Sequence, residues 1–348
     1  MERIMSFFNK DNTIAREVEI KSNHVDYLDG WRGVAIAIVL VHHFYLIEYP
    51  KIGRLGVDIF FVLSGLLMSR ILFVKKTPLS IFYKRRASRI LPVFILYVGL
   101  VFLIASLSDV SFAAQDFVST LLFLRTYIPS EPHMWVSQVP IGHLWSLNIE
   151  EHFYLLLSLV TVLPFSKKGK GFLLLFFAFA SIGMIIFYLR HKAIAPINYI
   201  LRTECATTCL LLSSGYFLLK DAVIKFIRPW LPPITFFAAI FCYTGFAPWY
   251  ASFLFAPFLL AFTVNHLEES ADMLKKILSI KVLQLLGIWS YSIYLWQQLF
   301  YSYQSTWPLG TAFAAAMLLG IISFYFYEKP TRKWLNNFSF STRQVKFS

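Results

Sequence analysis

The sequence predicts an all-α, polytopic membrane helix bundle of about ten transmembrane helices, with cytoplasmic N- and C-termini. Three observations predict it. Hydrophobic residues fill 57% of the 348 positions and charged residues only 15%, with a mean hydropathy of +0.61; a soluble domain carries roughly 25% charged residues. Apolar segments of about spanning length recur along the chain. Lys and Arg sort to one side once those segments are threaded alternately through a bilayer.

The segments run at approximately 31–49, 55–74, 90–108, 145–164, 171–190, 199–219, 230–246, 248–266, 282–303 and 307–327. Segment 112–128 is shorter and is interrupted by Gln115, Asp116 and Arg125. It reads as interfacial or re-entrant, since a full span there would invert everything after it. With the N-terminus inside, 26 of the 32 Lys and Arg fall on the cytoplasmic side, and six fall outside: Lys51, Arg54, Arg125, Arg190, Lys192 and Arg202. The net charge of +13 is then mostly topological, and no nucleic-acid partner is expected; the expected surroundings are membrane lipids. The first 25 or so residues lack the apolar stretch of a cleavable signal peptide, and no internal repeat or appended soluble domain is evident. The division expected is a cytoplasmic segment 1–26, a membrane domain 27–332 and a basic cytoplasmic tail 333–348. Cys205, Cys209 and Cys242 lie in apolar segments and read as packing residues rather than a disulfide framework.

Four constellations could carry chemistry. Arg32 and His43 are eleven residues apart. That is three helical turns plus about 20°, so they share a face, roughly 16 Å apart along the axis. With Arg32 at the membrane surface, His43 falls near mid-bilayer, where an ionisable group marks a functional site by default. A snorkelling Arg32 and a backbone-satisfied His43 are the bland alternative. The second constellation, Gly56 to Gly65, places Asp58 just inside an apolar segment and Ser64-Gly65 deeper; a hydrated carboxylate and a close-packing pair would look the same. In the third, Lys84, Arg85, Arg86 and Arg89 cluster at the entrance of a span. Guanidinium forks there suit a multiply phosphorylated cytosolic ligand, although a topology anchor or anionic-lipid contact has the same signature. The fourth runs from Gly142 to Tyr154. It sets Glu150 and Glu151 at the mouth of a span, ~100° apart, so at most one points squarely inward. Glu150 and Tyr154 share a face.

In this order, Leu-Asp-Gly-Trp-Arg-Gly … His-His, Gly-Val-Asp-Ile-Phe-Phe-Val-Leu-Ser-Gly, Arg-Arg-Ala-Ser-Arg-Ile-Leu-Pro and Trp-Ser-Leu-Asn-Ile-Glu-Glu-His-Phe-Tyr resemble the acyltransferase-3 family of integral membrane O-acyltransferases. Leu286 to Trp296 and Glu328-Lys329-Pro330 resemble its closing signatures, so the likeness runs from about Tyr27 to Arg332. It implies transfer of an acyl group, most often acetyl, from cytosolic acyl-CoA to a hydroxyl of an extracytoplasmic glycan such as lipopolysaccharide O-antigen, exopolysaccharide or a lipid-linked sugar. The setting implied is a bacterial inner membrane. It maps the family's Arg-x10-His signature onto Arg32 and His43, and its Arg-x-x-Arg signature onto Arg86 and Arg89. The tryptophan-serine-leucine motif falls on Trp145, Ser146, Glu150 and Tyr154. Some relatives carry an esterase-like domain after the last helix; the stand-alone form is expected here. Gln297 stands where the family often has histidine, and reads as a secondary polar contact.

The mechanism these residues permit docks the phosphates of acetyl-CoA on Arg85, Arg86 and Arg89. His43 acts as general base or as transient acyl carrier, and Glu150 orients His43 or positions the acceptor. Arg32, Ser64 and Ser146 are the candidate oxyanion donors, with Asp58, Trp145 and Tyr154 as further substrate contacts. No metal is called for. Loop 129–143, with Pro129, Glu131, Pro132 and His133, is expected to lie outside and to shape acceptor choice. A proton-coupled transporter or flippase using the buried His and Glu is the rival class.

Overall fold

The computed structural model describes residues 25–45, 52–128, 138–303, 306–308 and 310–337, which are helical with no β-strand among them. Lys51, Pro129, Glu131, Pro132 and His133, and most of the two terminal segments, lie outside the described residues. We name the helices α1 (Asp26–Phe44), α2 (Ile52–Ser69), α3 (Leu79–Leu107), α4 (Ala114–Leu121), α5 (Trp145–Val162), α6 (Lys167–Arg190), α7 (Thr208–Leu219), α8 (Leu231–Phe241), α9 (Ala256–Asn265), α10 (Asp272–Leu278), α11 (Lys281–Ser302), α12 (Thr311–Ser323) and α13 (Lys329–Asn337). A π-helical turn, Arg70–Val74, extends α2, and another, Phe324–Glu328, joins α12 to α13.

Every predicted apolar segment contains a helix. Among the described residues, four helical stretches are long and apolar enough to cross a membrane, namely Ile52–Val74, Leu79–Leu107, Lys167–Arg190 and Thr311–Asn337; α10 and α11, bent by 56°, make a fifth if counted as one broken span. Outward-facing hydrophobics fit a lipid surround: Phe172, Phe176 and Phe179 form one exposed stripe on α6, at the i, i+4, i+7 positions of a helix face. Ser166 caps that helix by accepting from the Gly169 amide at 3.1 Å, as an N-cap serine does.

Two boundaries differ from the sequence reading in ways that matter. Helix α1 begins five residues before the predicted 31 and ends at Phe44, so His43 lies in its last turn. The apolar window excluded Asp26 and Asp29, yet aspartates are favourable in a first turn, and Asp29 is neutralised locally by Arg32. Helix α3 begins at Leu79, directly after Pro78, instead of near 90. Its 29 residues make it roughly 43 Å long, longer than a ~30 Å hydrocarbon core, and its basic cluster rides on the first three turns. Segment 112–128 contains only the eight-residue α4, too short to span. It is pinned by a buried Arg125–Asp116 ion pair at 3.1 Å.

The interior holds two packed clusters. The larger joins α1, α2, α5, α7 and α9; the smaller joins the inner face of α3 to Val139, Ile141, Leu144, Leu295 and Trp296. Glycines set the close α1–α11 crossing. A β-carbon on Gly287 of α11 would lie 2.7 Å from the Asp29 carbonyl carbon, and one on Gly33 of α1 would lie 2.8 Å from that of Leu283. Only glycine lets these backbones meet. Cys205, Cys209 and Cys242 are buried free thiols.

Candidate active site

A cavity of about 100 Å³ opens in the seam between the two clusters, lined by Arg32 (α1), Ser64 (α2), Arg86 and Arg89 (α3), Ser146 and Glu150 (α5), and Ser290, Tyr291 and Tyr294 (α11), among apolar residues of α2. Five helices that are distant in sequence supply it. Because Arg86 and Arg89 are three apart on α3, both face inward; Arg85, ~100° away, is exposed and does not line the cavity.

The polar lining forms two chains. In the first, Tyr154 donates to Glu150 Oε2 at 2.6 Å, and Arg86 Nη2 reaches the same oxygen at 3.3 Å. Having given its one proton to Glu150, the Tyr154 hydroxyl accepts from Arg86 and, at 2.8 Å, from Ser64. The Arg86 guanidinium carbon also lies 4.0 Å over the Tyr154 ring. Glu150 thus holds Arg86 in place. Arg86 Nε is buried without a partner, a donor that an anionic or carbonyl oxygen in the cavity would satisfy. In the second chain Tyr294 donates to the His143 carbonyl at 2.6 Å, and Ser146 lies 2.7 Å from the Tyr294 hydroxyl.

His43 does not line the cavity. Its Nδ1 lies 2.7 Å from Gln297 Oε1, and its ring stacks on Tyr301 at 4.6 Å. Gln297 is fully buried and one turn beyond Tyr294 on α11. The buried His143 packs its ring against Tyr97 and Tyr294. Arg32, at the other end of α1, pairs with Asp29 at 3.0 Å.

Asp58 and Trp145 stand apart from the cavity lining. Asp58 is buried, takes a two-pronged contact from Arg54 Nε at 3.0 and 3.1 Å, and accepts from Tyr243 at 2.7 Å. Trp145 lies edge-on to Phe61 and carries Arg54 over its ring at 4.9 Å.

Sequence reasoning assigned no role to Ser290, Tyr291, Tyr294, Arg54 or Tyr243, and treated Gln297 as peripheral. A signal for part of this was available. Ser290, Tyr294, Gln297 and Tyr301 recur at i, i+4, i+7 and i+11, a polar stripe on one face of an apolar helix. Glu328, 3% exposed and accepting from Ser292 at 2.7 Å, shows that the closing signature packs onto the same helix.

Residues 25–329 match the acyltransferase domain family. The chain is 27% identical to the peptidoglycan O-acetyltransferase OatA of Listeria monocytogenes, over 91% of this chain and 57% of that protein. It is 28% identical to the O-acetyltransferase OatA of Staphylococcus aureus, over 88% and 57%. The chain thus spans less than two thirds of the curated relatives it matches. No solved structure matches it. The match covers nearly all of the helical bundle and every residue of the cavity, and by it this chain belongs to the acyltransferase-3 family.

Proposed function

We propose that this chain is a membrane O-acetyltransferase that moves an acetyl group from cytosolic acetyl-CoA to a hydroxyl of an extracytoplasmic glycan. Residues 27–332 act as a ten-span domain between the flanking segments 1–26 and 333–348, with both termini cytoplasmic. The observation that carries the reading is the cavity: three inward arginines from two helices meet a partly buried carboxylate and a row of hydroxyls.

Arg86 and Arg89 receive the donor at the α3 end, with the exposed Arg85 adding attraction at the entrance. The cavity has room for a two-carbon group or a few waters. His43 contacts Gln297, about one turn beyond Tyr294 on α11. As general base, it takes the acceptor's hydroxyl proton while the oxygen attacks the thioester carbonyl. The tetrahedral intermediate collapses, the C–S bond breaks, and the CoA thiolate leaves with the proton that His43 returns. The products are an O-acetyl ester and free CoA. Arg32, Ser64 and Ser146 line the cavity and are the oxyanion donors, each turning to the oxyanion from its present partner, Asp29, Tyr154 and Tyr294 respectively. The relatives' names favour a carbohydrate acceptor.

The test is transfer of radiolabel from acetyl-CoA to glycan in isolated membranes. The wild type labels glycan; His43→Ala, present at normal levels in the membrane, leaves less than about 1% of that rate. Label trapped on the protein would make His43 a carrier instead of a base. Absence of transfer together with CoA-independent solute uptake would replace the enzyme with a transporter.

A further inference from the structure

Resting on the reading of His43 as base, we propose that Gln297 is the positioning residue that fixes the tautomer and orientation of His43. Glutamine's Oε1 can only accept. At 2.7 Å from Nδ1 it requires the imidazole proton to sit on Nδ1, which leaves the Nε2 lone pair free to take a proton or an acetyl group. Tyr301, stacked 20° from parallel at 4.6 Å, holds the ring plane. The pair has the logic of a base oriented by a third group, with a neutral amide in place of a carboxylate.

Packing does not account for a glutamine here. Gln297 is 0% exposed, and its Nε2 is buried with no hydrogen-bond partner. An orphaned amide inside a helix bundle costs stability that an apolar side chain of the same shape would recover. A residue that weakens the fold while contacting the base in its one useful direction is kept for what it does to the base.

The two explanations differ in sign. Gln297→Met keeps the length and removes both polar atoms. For a positioning residue, the melting temperature stays level or rises, kcat for acetyl transfer falls about tenfold, the worth of one such hydrogen bond, and the KM for acetyl-CoA stays within about twofold. Gln297→Glu restores an acceptor and recovers most of the lost kcat. Wild-type kcat in Gln297→Met overturns the assignment, as does a fall in melting temperature that tracks the activity loss, or a Gln297→Glu variant no better than Gln297→Met. Failure of the underlying reading shows separately: His43→Ala would then keep full activity.

Discussion

Substituting Gly287 by alanine tests whether the α1–α11 crossing sets the chemistry. A β-carbon there would lie 2.7 Å from the Asp29 carbonyl carbon, whereas carbon atoms pack at about 3.5 Å or more. The β-carbon would come closer still to the Asp29 carbonyl oxygen, so the backbones must separate by more than about 0.8 Å. His43 rides on α1 and Gln297 on α11, so the same displacement takes their contact from 2.7 Å to beyond about 3.5 Å, where little hydrogen bond remains. Overpacking of this kind costs about 1–3 kcal/mol, and a misplacement near 1 Å costs up to about 100-fold in rate. The expected result is a lowered melting temperature and a kcat reduced about 10- to 100-fold, read by detergent-solubilised thermal unfolding and by acetyl transfer in membranes. Gly183 is the control: a β-carbon there meets nothing within 4 Å, so Gly183→Ala should be neutral or stabilising by up to about 1 kcal/mol. If Gly287→Ala matched the control in both measurements, the close crossing would not be what positions the pair.

Other outcomes follow from the polar chains. Arg86→Gln and Arg89→Gln should each raise the KM for acetyl-CoA at least about tenfold with a smaller effect on kcat, and Arg85→Gln should raise it less. A shift in the acceptor's KM instead would move the donor site elsewhere. Glu150→Gln removes the charge that holds Arg86 and should reproduce the Arg86→Gln phenotype in weaker form; an unchanged donor KM would show that Arg86 needs no anchor. Asp58→Ala strands the Arg54 guanidinium, at a cost of about 3 kcal/mol, the low end for a broken buried pair because Arg54 keeps 27% exposure. It should cut the amount of folded protein and leave the donor KM unchanged, and normal yield and melting would refute the structural reading of that pair.

Much of the site was legible before any coordinates. The basic cluster and the Arg-x-x-Arg likeness singled out Arg86 and Arg89, and helical periodicity placed Glu150 beside Tyr154; both pairs line or brace the cavity. The partner of Glu150 was not legible, because Arg86 lies 64 residues away and nothing local encodes a contact across two helices. His43 stood out as an ionisable group in an apolar run, but its place in the last turn of α1 was not legible, because the apolar window left out Asp26 and Asp29 in the helix's first turn.

By itself the sequence determined the helical class, the positions of the apolar segments, the basic helix entrance and which side chains share a helix face, because these follow from composition and a 3.6-residue period. Only the tertiary structure decided that Gln297 touches His43, that Arg85 turns away while Arg86 is clamped, and that His43 does not line the cavity. Those facts depend on how closely two helices approach. At Gly33 and Gly287 that distance is set by missing side chains, which leave no periodic mark in the sequence.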